Sequence, residues 1–153
     1  MKALFLDFDG VLHHRYAAPE DSAFESVLAD PDCLAYANGL AEILEGHEIQ
    51  MVVHSNWRLN NEYTDDQMRQ LLRSLGTPFV GTTPVDADPD RLADWRYDSI
   101  RRYVAMYHIT DYRILDDAHF LFPARLPELI ACHSATGVSD LAVQAQIKEW
   151  LAS

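Results

Sequence analysis

Ala3-Leu4-Phe5-Leu6-Asp7-Phe8-Asp9-Gly10 decides how this chain is read. A short apolar run that gives way to a polar stretch reads as a buried strand entering a loop. Two acids at spacing two, just past such a strand, are chemically unusual. Alternate residues of an extended chain point the same way, so Asp7 and Asp9 are expected to converge on one side. Asp9-Gly10 by itself is also a turn signal.

Working outward, the pattern returns. Ile49 to Val53 is a second apolar run and ends in His54-Ser55-Asn56. Tyr112-Arg113-Ile114-Leu115 is a third and ends in Asp116-Asp117. Pro78-Phe79-Val80 and Glu128 to Cys132 read as shorter strands. Helical spacing lies between them. Asp30-Pro31 offers an N-cap and a first-turn proline, Leu34 to Leu44 keep the period, and Gly46 stops it. Thr64-Asp65-Asp66-Gln67 opens a helix carrying Met68, Leu71, Leu72 and Leu75. Tyr97 to Tyr107 is expected to be helical, and Ser139 to cap a last helix through Trp150. Residues 13 to 30 and 81 to 94 read as irregular.

Strands alternating with helices predict an α/β fold: a three-layer, Rossmann-like parallel sheet with helices on both faces. In such sheets the chemistry lies beyond the carboxyl ends of the strands. Three strand endings then become one candidate site: Asp7/Asp9, Ser55/Asn56 and Asp116/Asp117. Two carboxylates about 5 Å apart repel by roughly 3 kcal/mol at an effective dielectric near 20. A domain's whole stability is about 5–15 kcal/mol. Protons or a cation must relieve such crowding. The candidate ligands are all oxygens, which favours Mg²⁺ over zinc.

Composition narrows the partners. The 153 residues suit one domain, 1–153, and 48% hydrophobic with 24% charged excludes a disordered chain. No apolar stretch is long enough for a membrane span. Asp7 interrupts what would be the core of a secretion signal, so the cytoplasm is the expected location. The net charge of −12 repels a phosphate backbone and disfavours generic nucleic-acid binding. The only lysines are Lys2 and Lys148, so a cation needed mid-chain must be an arginine or a metal. Cys33 and Cys132 share no metal-ligand spacing and read as free thiols.

Leu4-Phe5-Leu6-Asp7-Phe8-Asp9-Gly10-Val11-Leu12 resembles the first motif of the haloacid dehalogenase (HAD) superfamily. Val52-Val53-His54-Ser55-Asn56 is similar to its second motif, and Ile114-Leu115-Asp116-Asp117 to its fourth. The matches run in order from residue 4 to residue 117. Ser55-Asn56-Trp57-Arg58, with Gly137-Val138-Ser139, further resembles a HAD subgroup that includes stand-alone domains and domains of RNA repair proteins.

The resemblance implies phosphoryl transfer. Asp7 would be the nucleophile, forming an aspartyl-phosphate. Asp9 would be general acid and then general base, with nearby acids raising its pKa. Mg²⁺ would be held by Asp7, the Asp9 main-chain carbonyl and Asp116, with Asp117 beside them. Ser55 would donate to a phosphoryl oxygen, with Gly10 and Asn56 as further substrate contacts. The third-motif cation would be Arg96, before the Tyr97 helix, with Arg91 the runner-up. Asp9 also separates the chain from the superfamily's dehalogenases, which do not carry this acid.

Other residues carry two readings. His13 is a pocket residue or a solvent-exposed loop histidine, and His14 likewise. His54 stands where the motif usually has an apolar residue and reads as a hydrogen-bonded core histidine. Trp57 and Arg58 either meet substrate or close the strand end. Asp86, Asp88 and Asp90 alternate as metal ligands can but read better as a flexible acidic loop, His119 reads as a solvated loop histidine over one that approaches the site, and Phe120, Leu121 and Phe122 read as core. Neither 13–30 nor 58–96 is long enough for a full cap domain. The expected activity is a Mg²⁺-dependent phosphatase with an open site for a small molecule, a protein or a nucleic-acid end. The alternative is a catalytically weak domain that binds a partner or metal.

Overall fold

The computed structural model describes residues 1–14, 16, 23–57, 63–85 and 95–153. Its centre is β1 (Lys2–Leu6), flanked by β2 (Ile49–Val53) and β4 (Tyr112–Asp116), with β3 (Phe79–Thr82) and β5 (Leu129–Ala131) at the edges. Every pairing is parallel, in the order β3-β2-β1-β4-β5. This is the Rossmann-like α/β sheet the alternation predicts. The chain builds outward from β1 in one direction through β3, then returns to build β4 and β5 on the other side. The reversal falls between β1 and β4, the point where an open α/β sheet forms its crevice.

Side-chain alternation divides the core into two layers. Leu4 and Leu6 of β1 face one layer with Met51, Val53 and Leu115; Ala3 and Phe5 face the other with Val52 and Ile114. The first layer is covered by α1 (Phe24–Ala29), α2 (Ala37–Leu44), α3 (Asp65–Leu71) and α5 (Leu141–Ala152), through Val27, Leu40, Met68 and Ile147. The second is covered by α4 (Trp95–Met106), through Ile100 and Tyr103, and by Phe122. A central strand buried on both faces reads as a continuous apolar run, which is why Ala3 to Leu6 shows no polar alternation.

Local signals fix most element ends. Thr64 Oγ1 accepts from the Gln67 N–H at 3.2 Å and the Thr64 N–H donates to Gln67 Oε1 at 3.0 Å, a reciprocal cap for α3. Helix α4 starts at Trp95, two residues earlier than expected, so Arg96 lies in its first turn.

Three expectations need correction. The helix expected from Asp30-Pro31 starts only at Ala37. Leu34, at φ +54°, is left-handed; its N–H donates to His13 Nδ1 at 3.0 Å, and the Tyr36 N–H to the Leu12 carbonyl at 2.8 Å. Tertiary bonds to the loop after β1 override the capping signal there. Residues 24–29, expected to be irregular, form α1 because Val27 buries against the core and Phe24 meets Tyr63 edge to face. The cap of α5 is Asp140, whose Oδ1 accepts from the Ala142 N–H at 2.8 Å, while Ser139 ends a preceding 3₁₀ turn. Among the described residues no helix is long and apolar enough to cross a membrane, and none form a separate cap domain.

Candidate active site

The sheet's hydrogen-bond ladder continues past the strand ends and sets the site. The Asp7 N–H donates to the Leu115 carbonyl at 3.1 Å, the His54 N–H to Leu6 at 3.0 Å, and the Cys132 N–H to Asp116 at 2.9 Å. Asp7 is thereby pinned beside β4, at the reversal point of the sheet.

Carboxylate oxygens of Asp7, Asp116 and Asp117 lie within 4.8 Å of one another. Asp7 and Asp116 are buried, and Asp117 half-buried. Arg96, 8% exposed, reaches into this group. Its Nη1 donates to Asp116 Oδ2 at 2.8 Å, to Oδ1 at 3.0 Å, and to Asp7 Oδ2 at 3.5 Å. One guanidinium faces three acids, so the cluster is under-neutralised. Arg91 lies outside the described residues.

The imbalance shows in the protonation energetics. Burial, reinforced by the Asp116 charge, pushes Asp7 well above its ordinary value of 3.8, against the pull of Arg96. Asp117 is raised by burial and by Asp116. Asp116 itself is lowered. Burial opposes its charge, but the His54 hydrogen bond and charge, Arg96 and the Ala118 N–H outweigh that. Asp116 is thus held as an anion while Asp7 resists ionisation until more positive charge arrives. An all-oxygen donor set with a deficit of positive charge fits a hard divalent cation such as Mg²⁺.

Asp9 departs from expectation. Its side chain is 51% exposed and its carboxylate is not in the cluster. The chain is no longer extended there: Gly10, at φ +76°, donates to the His13 carbonyl at 2.9 Å, and Val11 and Leu12 both donate to Phe8. The alternation rule therefore stops at the strand end. Asp9 Oδ1 meets His13 Nε2 at 2.7 Å and Oδ2 accepts from Trp57 Nε1 at 3.0 Å. Partial burial raises its pKa, but the hydrogen bonds from His13 and Trp57 outweigh it, so Asp9 sits below the usual carboxylate value. This corrects the expectation of a raised pKa; the crowded acids are not what surrounds this carboxylate.

His13 and Trp57 settle as structural partners of Asp9. His13 is 1% exposed, and its Nδ1 accepts from the Leu34 N–H, so Nε2 carries a proton toward Asp9. Both rings pack with Tyr16, and Trp57 also meets Phe8 and Tyr63. Trp57 is buried, which leaves no open face for a substrate ring. Its main-chain N–H donates to Ser55 Oγ at 3.2 Å, tying the second strand ending to the first. Asn56 is half-buried, and its amide oxygen has no hydrogen-bond partner among the described residues.

Two glycines permit close approaches. A Cβ on Gly10 would run into the Asp117 carboxylate, and one on Gly137 into the Val11 carbonyl. The Val138 N–H donates to that same carbonyl at 2.9 Å. Gly137-Val138 therefore fastens the turn after β1 from beneath.

The remaining candidates lie elsewhere. His14, His119 and Phe120 are exposed, Phe120 by 75%, so it is not core; Leu121 is partly buried and Phe122 buried. Arg58, Asp86, Asp88 and Asp90 lie outside the described residues. Cys33 and Cys132 are free thiols, both pushed up to about 12, chiefly by burial. The sequence did not reveal that His54 reaches Asp116: Nε2 lies 2.8 Å from Oδ2 across 62 residues of chain. Its only sequence signal was a polar residue in an apolar run.

A family model described as the HAD domain in Swiss Army Knife RNA repair proteins matches residues 3–143. The chain belongs to this family of the HAD superfamily. No curated protein and no solved structure matches it.

Proposed function

We propose that this protein is a Mg²⁺-dependent phosphatase that hydrolyses phosphate monoesters through an aspartyl-phosphate on Asp7. The observation that carries this reading is the convergence of Asp7, Asp116, Asp117 and Arg96 at the sheet's reversal point. Asp7, Asp116 and Asp117 would hold Mg²⁺, with the Asp9 main-chain carbonyl as a further oxygen. The metal would supply the positive charge that keeps Asp7 ionised and offsets the phosphoryl oxygens.

In the first half-reaction an Asp7 oxygen bonds to phosphorus as the ester P–O bond breaks. Asp9 gives its proton to the leaving oxygen. In the second, Asp9 takes a proton from water, the water oxygen bonds to phosphorus, and the Asp7–phosphate bond breaks. Phosphate leaves and both acids return to their starting state. Arg96 and Ser55 donate to phosphoryl oxygens, where the charge develops. The Arg96 Nε is buried with no hydrogen-bond partner among the described residues, a donor suited to that task. Gly10 and Asn56 would flank the same group.

Asp9 must leave the His13–Trp57 clamp to act as an acid. That clamp favours a second reading, a catalytically weak domain that binds metal or a partner. Within the first reading the family's description favours a nucleic-acid end over a protein or small molecule. The charge of −12 opposes contact along a polynucleotide backbone, so recognition would centre on the terminal phosphate. The free, protonated thiols suit the cytoplasm. The test is release of phosphate from para-nitrophenyl phosphate with Mg²⁺, with chelator, and by Asp7→Asn. Turnover that needs Mg²⁺ and disappears in the variant supports the phosphatase. No turnover above the variant, there or on 3′- and 5′-phosphorylated oligonucleotides, supports the second reading.

A further inference from the structure

Four donor contacts converge on the Asp116 carboxylate. Oδ1 accepts from the Ala118 N–H at 2.8 Å and from Arg96 Nη1 at 3.0 Å; Oδ2 meets Arg96 Nη1 at 2.8 Å and His54 Nε2 at 2.8 Å. A carboxylate offers about four lone-pair positions, so Mg²⁺ would take a position on Asp116 that Arg96 gives up. The donors differ in kind. Ala118 is main chain, two residues away. Arg96 also faces Asp7, and under the proposed chemistry it turns part of its donor set to phosphate. His54 is 0% exposed and has no part in holding phosphate under that chemistry.

His54 also occupies a costly place. It follows Met51, Val52 and Val53, all fully buried, and its own N–H is bonded to Leu6. It belongs to the β2 end, and Asp116 to β4, with β1 and Asp7 between them. The imidazole therefore bridges the strand that carries the nucleophile. A leucine would fill a core position of this kind without desolvating a ring nitrogen or a carboxylate, and buried polar pairs give little stability over apolar packing.

We infer that His54 is a positioning residue for the metal site: its Nε2–H bond fixes the Asp116 carboxylate for Mg²⁺ independently of where Arg96 is engaged. Without it, Oδ2 is held by Arg96 alone, and only the Ala118 N–H on Oδ1 fixes Asp116 when Arg96 moves. This inference rests on the acid cluster being a metal site, as the proposed function has it.

The experiment is Mg²⁺ binding by isothermal titration calorimetry, with Mn²⁺ paramagnetic resonance as a second probe and no substrate present. His54→Leu keeps bulk and removes the donor. His54→Gln places an amide N–H near the Nε2 position, and His54→Asn carries one too short to reach it. His54→Leu and His54→Asn are expected to bind Mg²⁺ about 10–100-fold more weakly, the range for removing a partner of a metal ligand, with His54→Gln restored. If His54→Leu does not fold, the contrast of the two amides carries the test. Wild-type affinity in His54→Asn or His54→Leu overturns the positioning role and leaves the phosphatase reading standing. A wild-type protein that binds neither ion overturns both.

Discussion

Replacing Arg96 with methionine keeps the length of an apolar stem and removes the only guanidinium among the acids of the described cluster. The contacts at stake are 2.8 and 3.0 Å to Asp116 and 3.5 Å to Asp7. At an effective dielectric near 20, the Asp116 carboxylate, held as an anion, contributes a gross attraction of about 6 kcal/mol at 2.8 Å. Desolvation of the guanidinium and two carboxylates offsets much of it, and both side chains at the 2.8 Å contact are nearly inaccessible, at 9% and 0%. Removing one partner of such a buried pair costs about 3–5 kcal/mol, because the remaining charge stays buried without compensation. Urea denaturation in chelator at neutral pH measures the loss. Arg96→Lys should fall between, since a lysine ammonium lacks the planar fork. In a double-mutant cycle, Arg96→Met should cost much less in an Asp116→Asn background. A loss under about 1 kcal/mol, the worth of a surface pair, would refute the reasoning. So would a loss of the same size in both backgrounds.

Other expectations follow from the same site. The Asp7 pKa is raised on folding, so its contribution to stability is full at and below its ordinary value of 3.8 and is lost as pH rises through the raised folded value. Mg²⁺ should therefore stabilise the protein increasingly across that window, read as the difference in melting temperature with Mg²⁺ and with chelator; a constant difference would contradict it. Asp111 has the opposite sign. The Lys2 and Trp150 hydrogen bonds hold its pKa down, so its stability is present above 3.8 and lost below it, and Lys2→Met should blunt the acid limb of unfolding. Trp57→Phe keeps most of the ring packing and removes the N–H on Asp9 Oδ2. The Asp9 pKa should rise, moving the alkaline limb of the pH profile upward for alkyl phosphates, whose leaving oxygen needs a proton, and little for para-nitrophenyl phosphate. Gly137→Ala sets a Cβ against the Val11 carbonyl at positive φ and should lower stability by about 1–3 kcal/mol in denaturant titration.

The strands were legible because their signal is local. Ala3 to Leu6 and Ile49 to Val53 are apolar over their whole length, as strands buried on both faces must be. The acids at their ends were legible for the same reason. Where long-range bonds decide the outcome, local reading fails. Asp30-Pro31 carries a strong helix-start signal, yet His13 and Leu12 hold Leu34 and Tyr36 in another conformation. The side-chain direction of Asp9 depends on Trp57, 48 residues away, and on a turn that ends the strand alternation. Arg96 is legible only through the resemblance, whose third motif wants a cation near the start of the helix before β4, and the structure puts it among the acids. Nothing in the sequence distinguishes the role of His13 from that of His14. One is buried against Asp9 and the other exposed, a difference set by the turn at Gly10.

The most direct measurement is an acid quench of Mg²⁺-loaded protein turning over an aryl phosphate, followed by peptide mass spectrometry. The account predicts a phosphoryl adduct on the peptide containing Asp7, absent with chelator and absent from Asp7→Asn. Turnover that persists in Asp7→Asn, or that proceeds with no adduct on Asp7 at any quench time, would contradict it.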